Sequence, residues 1–246
     1  MTHTLFLVDG AQVLDHAPWM ALLEQLHSDG EALALYGTEN ESLHSLGPWL
    51  CRATEAQKTF MDEMFKKHPG HYLSALYLTE GYNWHLLAKQ WQTHFNQIAC
   101  TSSRDCYYLR YADVRVLEAL PRVMNPLQWK NFTSGIAQWV YVDRSQKFKT
   151  ITPGKQETSW PEGPLSWSDE QLAELIELTW PDALLAQVYE LRPQYNNPDL
   201  HAQQYAVALD AYQQAKASGH GDDTPYQVQA CLQALNHLQH KQTSTP

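Results

Sequence analysis

The sequence predicts an α/β lobe, a mixed sheet with flanking helices, over residues 1–152, followed by an all-α lobe over residues 168–246. Three observations carry this. Short apolar runs ending in turn residues alternate with helical periodicity up to about residue 152, the pattern of strands separated by helices. Beyond Ser168 only the helical period remains. Between the two, TPGKQETSWPEGPLSW (Thr152 to Trp167) is rich in proline and glycine. It reads as a linker or irregular crossover over 153–167.

Each element has a local reason. Leu5 to Val8 is apolar and stops at Asp9-Gly10, a strand followed by a turn. Asp15 is placed to cap a helix carrying Trp19, Leu22, Leu23 and Leu26 on one face, which Gly30 ends. Ala32 to Tyr36 and Trp49 to Ala53 are strand candidates around a polar loop. Thr54 and Gln57 form a capping box for a helix with Phe60, Met61, Met64 and Phe65 inward, ended by Pro69-Gly70. Tyr72 to Leu78 is strand-like, and Asn83 caps a helix running from Trp84 to Ile98. Tyr107 to Tyr111 is a strand, and Asp113 opens a helix to Met124. Asn125-Pro126 restarts a helix through Phe132, with proline at its first position. Trp139 to Val142 and Phe148 to Ile151 close the sheet, which the alternation of strands and helices predicts to be partly parallel. In the C-terminal lobe, Ser168 and Gln171 make a second capping box. Pro181 is expected to break that helix. Leu184, Leu185 and Val188 then start another, Leu200 to Ala217 forms the next, and Thr224-Pro225 opens the last.

Composition narrows the function. A net charge of −10 opposes phosphate-backbone and anionic-membrane binding, which require clustered Lys and Arg. No apolar run approaches the roughly 20 residues of a spanning helix, and MTHTLFLVDG lacks a basic leader. A cytoplasmic protein is expected. Cys51, Cys100, Cys106 and Cys231 form no Cys-x-x-Cys pair, so free thiols are expected, with no metal and no cofactor.

Candidate chemistry is sparse. Asp9, at a strand end, has two readings. It bonds backbone amides in its turn, which is the preferred one, or it serves a metal-dependent hydrolase or nuclease with further strand-end carboxylates. Glu80 and Asp143 are the later candidates, and they are scattered. His237 and His240 lie three apart on the last helix without a third ligand. No Gly-x-Ser-x-Gly, His-Glu-x-x-His or phosphate-binding glycine loop occurs. Asp113 sits at a helix N-cap, with Arg110 and Arg115 beside it to pair with the carboxylate or to contact a partner. Trp160 and Trp167, in the proline-rich crossover, are candidate partner-binding residues or pins for the crossover.

Three blocks together resemble one family, the adaptor chaperones that load toxic effectors onto the bacterial type VI secretion spike. The first runs from Leu5 to Ala11. The second comprises Leu35, Tyr36, Gly37, Thr38, Leu43, Gly47, Pro48, Trp49 and Leu50. The third comprises Leu109, Arg110, Tyr111, Asp113, Arg115, Val116 and Leu117, and Gly135, Trp139 and Val140 follow. The resemblance spans roughly residues 5–142. Ala112 stands where the family usually has an aromatic, Val114 where it usually has proline, and Gln90-Trp91-Gln92 where it often has His-Leu-Arg. The resemblance implies a non-enzymatic adaptor. Its partners would be a secreted effector, bound through an N-terminal segment or spike-tip domain, and the spike protein, with no nucleic acid, membrane or small-molecule substrate. Asp9, Gly47, Trp49, Asp113 and Trp139 are its structural positions here, and Arg110, Arg115, Trp160 and Trp167 the candidate contacts.

Overall fold

The computed structural model describes residues 4–36, 41–52, 54–67, 72–100, 106–153 and 165–243. In chain order the elements are β1 (Thr4–Asp9), α1 (Gly10–Val13), α2 (Ala17–Ser28), β2 (Ala32–Ala34), α3 (Glu41–Leu46), β3 (Pro48–Arg52), α4 (Glu55–Lys67), β4 (Leu73–Leu78) and α5 (Trp84–Gln90). A π-helical turn (Trp91–Phe95) leads into β5 (Gln97–Cys100), β6 (Cys106–Tyr108), α6 (Val114–Val123), α7 (Pro126–Phe132), β7 (Ile136–Val142), β8 (Phe148–Ile151) and β9 (Leu165–Trp167). The helices α8 (Asp169–Leu191), α9 (His201–Ala217) and α10 (Thr224–Thr243) complete the chain. The expected class, an α/β lobe followed by helices, is the observed one. Among the described residues no helix is long and apolar enough to cross a membrane.

The chain divides into two compact units. One comprises residues 1–143 and 147–173, the other residues 144–146 and 174–246, so the division falls inside α8. In the first unit, six strands form a sheet in the order β2-β3-β1-β4-β7-β8. Every pairing in it is antiparallel. The parallel component is confined to a small sheet, β6-β5-β9, where β5 runs parallel to β9. The short β9 lies in the expected crossover, where proline-rich composition hid a strand of three residues.

Strand β1 is flanked by β3 and β4 and is apolar without alternation, as a strand covered on both faces must be. Phe6 and Val8 pack with Trp19, Leu23 and Leu26 of α2 and Met61 of α4, while Leu5 and Leu7 are fully buried at the alternate positions. An aromatic cluster joins the π turn to α7 and β7. Trp91 stacks on Phe132 at 5.4 Å and on Trp139 at 5.6 Å, and Tyr111 meets Trp91 edge-on at 5.0 Å. The indole N–H groups are satisfied, Trp91 donating to the Phe132 carbonyl and Trp139 to Ser74 Oγ. This is the condition for burying tryptophan cheaply.

Local expectations meet mixed outcomes. Both expected capping boxes form, Thr54 with Gln57 and Ser168 with Gln171, and Asn83 and Asp113 cap as expected; Asn125 makes a further, unexpected capping box with Gln128. Asp15 does not cap α2: His16 occupies that position and makes no side-chain cap bond. Instead α2 is fixed at its other end, where the Glu31 and Gly30 amides bond back to the Leu26 and His27 carbonyls with Gly30 at φ +74°. This closure is open to glycine at little cost. The helix expected through Ile98 ends instead in the π turn, and β5 takes over at Gln97. Pro181 does not break its helix either. α8 continues through it, because Leu184, Leu185 and Val188 beyond the proline are buried in the core of the helical unit. Tyr205 donates to the Leu178 carbonyl in the turn before the proline.

Candidate functional site

The three sequence blocks meet at one corner of the first unit. Asp9 ends β1 opposite Pro48, one residue beyond the Val8–Trp49 pair. The Gly10 amide donates to the Gly47 carbonyl at 3.1 Å. Both glycines are required by close approach. A Cβ on Gly10 would lie 2.1 Å from the Ser45 carbonyl oxygen, and one on Gly47 would lie 2.6 Å from the Tyr36 ring. The Tyr36 hydroxyl crosses to the third block, donating to the Leu109 carbonyl at 3.1 Å, and its ring packs 4.7 Å from that of Tyr108. Burial and then the Asp9 charge push its phenol pKa up.

Asp9 is 2% exposed. Its carboxyl group accepts from the Ala11 amide at 3.2 Å, from Gln12 Nε2 at 3.3 Å and from Arg110 Nη2 at 2.7 Å. Burial pushes its pKa above the ordinary carboxyl value, against the opposing charge of Arg110. Three residues beyond Arg110, Asp113 accepts from the Arg115 amide and, at 2.9 and 2.6 Å, from its guanidinium Nε and Nη2, and lies 3.8 Å from Arg110 Nη2. Burial alone would raise the Asp113 pKa, but the bonds and charge of Arg115, with Arg110 adding, outweigh it and hold it below the usual value. Two buried carboxyl groups and two arginines thus form one chain of contacts.

The arginines differ in exposure. The Arg115 side chain is 22% exposed and committed to Asp113, whereas that of Arg110 is 45% exposed although anchored from behind. Tyr107 and Tyr108 on β6, just before Arg110, are 45% and 41% exposed. Arg110 therefore presents an anchored guanidinium to solvent, two residues after the exposed Tyr108, whose ring packs on that of Tyr36. Such a surface suits binding of another polypeptide, since Tyr and Arg dominate binding hot spots and an ordered side chain loses less entropy on contact.

The remaining expected positions fall elsewhere. Trp49 and Trp139 are buried. Trp167 is fully buried on β9, so it pins the crossover rather than offering a surface, and the expectation of an exposed contact there is corrected. Trp160 lies outside the described residues, as do Gly37 and Thr38 of the second block. Among the described residues no three His, Cys, Asp or Glu side chains are grouped to hold a metal ion.

One residue at the corner had no signal in the sequence. Asn96, buried behind the π turn, donates to the Leu35 carbonyl, accepts from the Tyr111 hydroxyl at 2.9 Å, and receives the Leu109 amide on its own carbonyl. It fastens the second block to the third. Its partners are up to 61 residues away, so no local pattern could mark it.

Compared with known protein families, the chain matches the model described as Domain of unknown function (DUF4123) over residues 6–131. That span contains Asp9, Gly47, Trp49, Asn96, Arg110, Asp113 and Arg115 and stops before β7. No curated protein and no solved structure matches the chain.

Proposed function

The chain belongs to the DUF4123 family, and from that premise we propose that it is a non-enzymatic adaptor that binds a toxic effector and helps seat it on the type VI secretion spike. One observation carries the reading. The blocks through which the sequence resembles such adaptors are separated by as many as 101 residues between Asp9 and Arg110, yet they build one corner. The resemblance is therefore to an assembled feature that holds Arg110 toward solvent. Asp9, the one residue with a hydrolytic alternative, takes its donors from the protein itself, two side chains and a backbone amide. That favours its structural role over a metal-ligating one.

Adaptor action needs no bond-making step. Binding an effector segment before it aggregates stabilises it by mass action. The net charge of −10 favours encounter with basic partners and slows encounter with acidic ones. The test is capture of the tagged full chain from its native cell, with mass spectrometry of what stays bound, alongside measurement of effector delivery. The expected result is one toxin-bearing polypeptide and the spike protein, both reduced by Arg110→Glu, and loss of delivery when the chain is deleted. Unchanged effector level and delivery in the deletion strain would sink the proposal.

A further inference from the structure

Within the helical unit, α8, α9 and α10 share a core built from Leu184, Leu185, Val188, Tyr212, Cys231 and Leu235. A groove of about 460 Å³ runs between α9 and α10. On α9 it is lined by Val207, Asp210, Ala211 and Gln214, which share one helix face by their spacing of three and four. On α10 it follows Tyr226, Ala230, Ala234 and His237, about three turns or roughly 16 Å of helix. Ala211, Ala230 and Ala234 leave room for an incoming side chain between the polar Gln214, Gln233 and His237, and the half-exposed Tyr226 stands at one end.

The charge is one-sided. Asp210 is exposed and, among the described residues, has no ion pair, and no lysine or arginine lines the groove. Asp222 and Asp223 lie in the turn leading into α10, where Asp223 caps the Tyr226 amide and lies 3.4 Å from His220 Nδ1, leaving Asp210 as the carboxylate that faces the groove. An elongated groove with helical periodicity on both walls, a small-residue lining and an unanswered carboxylate fits a helix with large apolar side chains on one face and a cation at its edge.

We propose that the α9–α10 groove receives a basic amphipathic helix of the partner polypeptide, with a Lys or Arg of that helix opposite Asp210. This rests on the adaptor reading for the identity of the partner as cargo. The bound helix adds a fourth member to the three-helix unit, its apolar side chains lying over Ala211, Ala230 and Ala234 and against Tyr226.

The test uses the full chain and a fluorescent helical peptide of roughly four turns, with leucines on one face and lysines on the other. A second peptide carries glutamates in place of the lysines. Fluorescence anisotropy should show the lysine peptide binding and the glutamate peptide failing to bind. Asp210→Lys should weaken binding roughly three- to tenfold, and Ala234→Trp, which fills the groove, should weaken it on the order of a hundredfold. Gln233→Trp, at an exposed position that also lines the groove, supplies a second blocking variant if Ala234→Trp unfolds. Equal binding of both peptides, or binding untouched by the blocking variants, overturns the inference. So does a concentration-dependent dimer that the blocking variants turn into monomer, since the groove would then belong to a second copy. Capture of the toxin cargo with the same variants separates the two readings. Cargo retained in full by a blocked chain defeats the groove alone. A wild-type chain that holds the peptide but no toxin defeats the adaptor reading and leaves the groove a helix receptor.

Discussion

Replacing Arg110 with methionine keeps much of the aliphatic stem and removes the guanidinium from two buried carboxyl groups. Asp113 retains its bonds from Arg115, but Asp9 keeps only the Ala11 amide and Gln12, both at more than 3 Å. Removing one partner of a fully buried pair costs about 3–5 kcal/mol. Because the Arg110 side chain is 45% exposed, water already screens the pair, and the expected loss at neutral pH is about 1–3 kcal/mol. The pH dependence carries a sign. Burial holds the Asp9 pKa above its unfolded value, so the native state keeps its proton to higher pH and loses stability as pH rises through the folded pKa. Arg110 opposes that loss. Without it the penalty is larger at neutral pH and shrinks as pH falls toward the ordinary carboxyl range near about 4. Urea denaturation followed by tryptophan fluorescence at several pH values reads this directly. Asp9→Asn in the Arg110→Met background should recover more than half of the loss. Equal stability of wild type and Arg110→Met at every pH, or no recovery in the double variant, refutes the reasoning.

Further outcomes follow from neighbouring contacts. Gly47→Ala puts a methyl group against the Tyr36 ring, which its hydroxyl holds to Leu109. A loss of about 1–3 kcal/mol is expected by thermal or chemical melting, and Tyr36→Leu in the same chain should recover part of it. Asp113→Asn retains a capping oxygen but loses the charge facing Arg115. Because the wild-type Asp113 pKa is lowered, its stabilisation is present above the ordinary carboxyl range and lost as pH falls through the folded pKa. The variant should lack that acid-side loss in a pH series of melts. Cys51 and Cys231 are fully buried, and burial pushes the Cys231 thiol up to about 12. Alkylation mapped by peptide mass spectrometry should leave both unmodified in the native protein and modify them only on unfolding.

What the sequence disclosed depended on the range of the interaction. Caps whose partners lie within three residues, at Thr54, Asn83, Asp113 and Ser168, were legible, and the turn role of Asp9 toward Ala11 belongs with them. Pro181 misled because its local cost of about 3 kcal/mol is outweighed by burial of the leucines beyond it. The π turn was invisible because Trp91 and Phe95 sit at helical spacing in either geometry. Strand β9 hid in a proline-rich stretch, and Trp167 looked surface-bound because nothing nearby announced its pairing with β5. At the candidate site, the residues were legible as motifs while their union was not. Arg110 could be matched in sequence only with Asp113, and its shorter bond goes to Asp9.

That long-range bond also imposes a timetable. A ribosome adding about 5–20 residues per second needs roughly 5–20 s to travel from Asp9 to Arg110, 101 residues apart. Throughout that interval β1 can find β3 and then β4, but the acid at its tip has no guanidinium to meet. The nascent amino-terminal half must keep this corner wet until the later segment emerges. Translation, rather than intrinsic chain diffusion, then sets when the corner can first close.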